Sequence, residues 1–192
     1  KSFFWGDFCD WYLEMDKNPN RTNEDNQVIA FAFTTLIKML HLYAPFVTEA
    51  LWREFQQPKM LAFSEWPQPL PYQFKASHQR IEIVKESISQ IRALREKANI
   101  GLEIKIPATL YSTANASIFK EHQNLIIRLA RLKELNISEK EPDAANELFG
   151  AYFNDTFASI DATFVDWKKE IQTLQKKLKS ESGFVEKSRN KL

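Results

Sequence analysis

The sequence has little of what covalent or metal chemistry needs. Cys9 is the only cysteine in 192 residues, and His41, His78 and His122 are the only histidines. A single cysteine forms no intrachain disulfide, and such usage fits a reducing compartment, here read as the cytoplasm. Set among aromatics, Cys9 reads as a small core residue rather than a reactive thiol. Three scattered histidines and one cysteine do not cluster as a structural metal site requires, so no metal is expected. Four glycines in the whole chain could hardly make a glycine-rich phosphate loop. No run of about eighteen apolar residues exists, so no helix is expected to cross a membrane. The first residues lack a signal-peptide pattern and begin abruptly with aromatics, as in a piece of a larger protein. Net charge is only +1, which excludes a strongly basic or acidic chain. The balance is uneven, however. Residues 166–192 hold eight Lys or Arg against four Asp or Glu, so the C-terminal end could meet a polyanion.

Aromatic and aliphatic residues are plentiful, and their spacing sets the expected fold. In FFWGDFCDWYLEMD (3–16), Phe4, Phe8, Trp11, Tyr12 and Met15 recur at spacings of three and four, one face of a helix. Val28, Ala32, Phe33, Leu36, Ile37, Leu40 and Tyr43 repeat the pattern, widened by Phe31 and Met39. Stripes this wide need cover on more than one side, as in a helical bundle. Glu24 and Asp25 suit the start of the second helix. Pro45 either kinks it or opens a new one. Four prolines between 56 and 77 predict a long loop, pinned by Met60, Leu61, Phe63 and Trp66. A third long helix is expected from about His78 to Ala98, with Ile81, Val84, Ile88, Ile91 and Leu94 or Arg95 on its apolar stripe and Gly101 as its stop. Alternation from Leu102 to Leu110 predicts a strand, 116–130 a helix, 132–137 a second strand, and 147–165 a hairpin turning near Asn154 and Asp155. After Asp166, Trp167, Ile171, Leu174 and Leu178 form a short heptad seam with lysine-rich flanks.

Three blocks in order, FFWGDFCDWYLEM, LIKMLHLYAPFVTEALW and MLAFSEWP, resemble the anticodon-binding domain of valyl-tRNA synthetases. The likeness continues through the Asn99-Ile100 junction, a strand, a helix, further strands and an arm with a Ser-Glu-Ser-Gly-Phe-Val turn. It implies a mainly α fold: a class Ia anticodon-binding helical bundle (1–100), a small α+β subdomain (101–165), and a short, basic, coiled-coil-like C-terminal arm (166–192). It implies tRNA(Val) as partner, with the catalytic and editing domains of the same enzyme. ATP and Mg would serve the catalytic domain, with no cofactor in this part. The family's two active-site signatures, His-Ile-Gly-His and Lys-Met-Ser-Lys, are absent, so no catalytic residue is assigned. The family bundle also begins with a helix that would precede Ser2. Without it, apolar surface would be exposed or filled by self-association.

RNA recognition calls for Lys or Arg at backbone spacing, with planar groups for splayed bases. The end of the third helix and its exit offer Arg92, Arg95, Lys97, Asn99 and Lys105. Arg92, Arg95 and Asn99 recur at i, i+3 and i+7 and share a face. In the family this junction borders the anticodon surface. The arm offers Lys168, Lys169, Lys176, Lys177 and Lys179, suited to holding phosphates without reading sequence. The rival reading is a non-catalytic helical scaffold that binds protein through its apolar faces.

Overall fold

The computed structural model describes residues 3–17, 21–55, 59–71, 73–140 and 149–165, and scattered positions of 166–192. The chain divides into two compact units, 1–73 and 74–192. The boundary expected near residue 100 therefore lies inside the second unit, because the third long helix packs on the sheet.

In the first unit, Phe3–Tyr12 winds as a π-helix and runs into helix α1 (Leu13–Asp16). The spacing had predicted one ordinary helix. In the wider i→i+5 turn, side chains four apart come nearly into line. Phe4 stacks on Phe8 at 6.3 Å and Phe8 on Tyr12 at 5.6 Å. Helix α2 (Asn23–Leu40) starts on a capping box. Thr22 Oγ1 accepts from Asp25 N at 3.2 Å, and the Asp25 carboxylate accepts from Thr22 N at 2.8 Å. The Thr22 backbone N–H, then its hydroxyl, hold the Asp25 carboxyl below the ordinary carboxylate range, as N-terminal donors do. Pro45 opens a new helix, α3 (Pro45–Glu54), at its first position, where its missing N–H costs nothing.

Three polar anchors fix the turn after α2 and the loop beyond α3. The Thr48 hydroxyl donates to Ala44 O at 2.8 Å and meets His41 Nδ1 at 2.7 Å. Trp52 Nε1 donates to Lys59 O at 2.9 Å, and Glu49 accepts from Leu61 N at 2.9 Å. Leu61 is buried with Ile37 and Trp52, against Phe33. It is the one expected pin of this loop that does the pinning, since Met60, Phe63 and Trp66 are exposed. Leu42, Tyr43, Phe46 and Val47, around the α2–α3 turn, are also exposed.

The second unit is a four-stranded mixed sheet backed by helices. Helix α4 (Lys75–Lys97) buries Val84, Ile88 and Ile91 completely, each contributing about 1.5–3 kcal/mol. It packs against strands β3 (Phe149–Phe153) and β4 (Thr156–Ile160). Strands β1 (Ile106–Tyr111) and β2 (Leu132–Ser138) are parallel, joined through helices α5 (Ala116–Glu121) and α6 (Gln123–Leu129). The sheet order is β2-β1-β4-β3, with β4 antiparallel to both neighbours. Ala108 pairs with Ile160 and Leu110 with Ala158, so these buried side chains share the helix-covered face. On the other face Tyr111, Phe157 and Tyr152 stand in one row across three strands. The expected hairpin turns at Asn154-Asp155, with Asn154 left-handed at φ 45°. The expected 116–130 helix breaks at His122 into two. Leu102 and Ile104 are exposed and precede β1 in a turn closed by Ile104 N and Gly101 O.

Candidate nucleic-acid interface

The sequence packs a basic cluster at the exit of α4, and the structure gives it a shape. The helix ends on Asn99, left-handed at φ 60°. Asn99 N donates to Glu96 O and Ile100 N to Arg95 O, both at 2.9 Å, the paired bonds of a Schellman stop. Asn99 thus takes the role expected of Gly101, whose φ is not positive.

Beside this exit lies an open cavity of about 630 Å³, walled by the end of α4, the Asn99–Leu102 turn and the α6–β2 turn. It lies wholly within the second unit. Three of the five expected residues line it: Arg92, Arg95 and Asn99. Their roles differ. Arg95 is 3% exposed. Its Nη1 donates to Arg131 O at 2.8 Å, and its Nη2 to Gly101 O at 2.9 Å and Ile104 O at 2.8 Å. Burial, then the neighbouring Arg131 charge, lowers its pKa. Arg95 therefore fixes the cavity walls rather than standing free to meet a ligand. Arg92 is exposed and caps α6, its Nε and Nη2 donating to Leu129 O at 3.1 and 2.8 Å. A cation at the last carbonyls of a helix is favoured by the helix dipole. Asn99 is exposed at the rim.

Lys97 and Lys105 are not brought into this cavity. Lys97 Nζ lies 5.3 Å from the ring centre of Phe149, a cation–π distance. Lys105 is exposed just ahead of β1. The residue the spacing missed is Arg131, exposed and left-handed at φ 54°, which lines the same cavity. A signal was present: only two residues separate α6 from β2, so one of them must turn sharply. Arg92, Arg95 and Arg131 face a single acidic lining residue, Glu96. The cavity is electropositive, and its chemistry suits an anion such as a sugar–phosphate backbone.

In the arm, Lys168, Lys176 and Lys179 are helical and exposed, while Lys169 and Lys177 lie outside the described residues. Trp167 packs edge-on against Phe149 at 5.9 Å. The rest of the seam, Ile171, Leu174 and Leu178, is exposed. Among the described residues, no three His, Cys, Asp or Glu gather as a metal site, and no helix is long and apolar enough to cross a membrane.

The chain is similar to known proteins along most of its length. A valine--tRNA ligase of Staphylococcus carnosus is 32% identical over 91% of this chain and 21% of its own length. One of Fervidobacterium nodosum is 27% identical over 92% and 20%. One of Staphylococcus aureus (strain JH9) is 29% identical over 71% and 17%. The chain thus spans about a fifth of the length of the curated relatives it matches. Residues 1–110 match the model of the anticodon-binding domain of tRNA ligases. That stretch holds the first unit, α4, the Asn99 stop and most of β1, more than half of the sequence. The chain therefore belongs to the family of anticodon-binding domains of tRNA ligases.

Proposed function

We propose that this chain is the tRNA-binding, anticodon-recognising part of a valine--tRNA ligase, working with catalytic and editing domains elsewhere in the same enzyme. The observation that carries the reading is the electropositive cavity at the α4 exit, inside a chain of the anticodon-binding family. The names of the relatives support valine as the amino acid and tRNA(Val) as the partner. The whole enzyme would use ATP and Mg in the cytoplasm to join valine to tRNA. This part's contribution would be positioning: holding the anticodon end so that the acceptor end reaches a distant catalytic centre. Arg92 and Asn99 would contact RNA at the cavity, with Lys97 and Lys105 flanking it. Lys168, Lys169, Lys176, Lys177 and Lys179 would hold phosphates along the arm.

Binding of the 192-residue chain to tRNA(Val) and to a non-cognate tRNA, each across a salt series, tests this. Tighter cognate binding at every salt, with a steep salt slope, is the expected result. Equal affinity for both would remove anticodon recognition and leave only backbone contact. A second reading, a protein-binding scaffold, draws on exposed Leu42, Tyr43, Phe46 and Val47. These could also pair two copies of the chain. Apolar association survives salt that dissolves phosphate contacts.

A further inference from the structure

Three non-glycine residues among those described have left-handed backbones: Asn99, Arg131 and Asn154. Asparagine enters this region readily because its short side chain bonds locally. Arginine has no such help. Arg131 directly follows Ala130, the C-cap of α6, where glycine is the ordinary choice. A residue kept in a sparsely populated conformation points to a use for its side chain. That side chain is exposed and lines the α4-exit cavity. Its Nη1 makes one long hydrogen bond, to Leu102 O at 3.4 Å, and no ion pair holds it among the described residues. Beneath it, Arg95 spends its guanidinium on three backbone carbonyls, one of them that of Arg131 itself. One cation is therefore consumed in fixing the turn, and a second is held at the cavity with donors to spare.

We propose that Arg131 is a phosphate-binding residue of the RNA site and that Arg95 is the positioning residue that locks its turn. The proposal rests on the RNA-binding reading above and names a group that reading does not include. A guanidinium offers two parallel N–H donors to two oxygens of a phosphodiester, and such a contact carries no sequence information.

The test is equilibrium tRNA binding over a salt series by the 192-residue chain and its Arg131→Gln, Arg131→Gly and Arg131→Lys variants, with thermal melts of each. The Gln and Gly variants are expected to weaken cognate and non-cognate tRNA by the same factor. They should flatten the log–log salt slope by about 0.7–0.9, one phosphate contact. Arg131→Gly is expected to melt at or near the wild-type temperature, because glycine takes the left-handed turn without steric cost. Arg131→Lys should keep most of the slope. An unchanged slope in the Gln and Gly variants, when the wild type binds, overturns the Arg131 assignment and leaves the RNA-binding reading standing. Loss of cognate binding alone would place Arg131 on a base and overturn the phosphate assignment. Absence of wild-type binding at every salt would overturn the RNA-binding reading, and this proposal with it.

Discussion

A guanidinium that is 3% exposed and bonded to three carbonyls from two turns cannot be removed quietly. A hydrogen bond from a charged donor contributes about 1.5–3 kcal/mol. Arg95→Met keeps the length and apolar stem but takes the guanidinium donors from all three, leaving Gly101 O with its bond from Ile104 N. We expect it to lower the free energy of unfolding by at least about 2 kcal/mol, read as a lower urea midpoint at unchanged slope. A midpoint equal to wild type would sink the structural role. Sequence spacing groups Arg92, Arg95 and Asn99, which line one cavity, although Asn99 lies beyond the end of α4 in a left-handed turn. Spacing cannot tell a cation that faces solvent from one that turns inward onto carbonyls, since both satisfy the same pattern. Arg131 escaped notice for a related reason. Left-handed turns are signalled by glycine or asparagine, and here an arginine fills that place.

Elements were legible where one period dominates. The stripe Val84, Ile88, Ile91 marks α4, and the Asn154-Asp155 pair marks the β3–β4 turn. They were less legible where local bonds compete with the period. The apolar alternation through Leu102 and Ile104 continues that of β1, yet among the described residues no strand pairs there. At Phe3–Tyr12 the aromatic spacing fits an ordinary helix and a π-helix alike. Gly150 in β3 shows what an element can demand of one position. A Cβ placed there would lie 2.4 Å from the Phe157 ring and 2.6 Å from Ala158 O. The ring could swing; the carbonyl belongs to the ladder and could not. Gly150→Ala is therefore expected to destabilise the chain by about 1–3 kcal/mol, the range for overpacking. The β3–β4 pair should also lose amide-exchange protection ahead of β1–β2. A melting temperature equal to wild type would show that the sheet absorbs the methyl group.

For the whole molecule, the order of sequence blocks carries the family assignment, which the match over residues 1–110 bears out. The partition was less visible. Helix α4 reads as a bundle helix from its stripe alone, and only the contacts with β3 and β4 assign it to the second unit. At this scale RNA binding would combine two basic regions, the cavity and the arm. Replacing Lys168, Lys176 and Lys179 together by Ala is expected to flatten the salt slope of tRNA binding while leaving the cognate to non-cognate ratio unchanged. A changed ratio would mean that the arm takes part in recognition.

The Arg95 bonds also bear on how long the fold lasts. Two of them span six and nine residues, but the third reaches Arg131 O across thirty-six. The long one can close only after the α6–β2 turn has docked against α4, because the chain between must first be ordered. We expect this contact to be largely missing from the folding transition state, to be checked by folding and unfolding rates of Arg95→Met. Its loss then speeds unfolding and leaves refolding nearly untouched. The guanidinium so behaves as a latch, setting the lifetime of the basic cavity rather than the speed at which it forms.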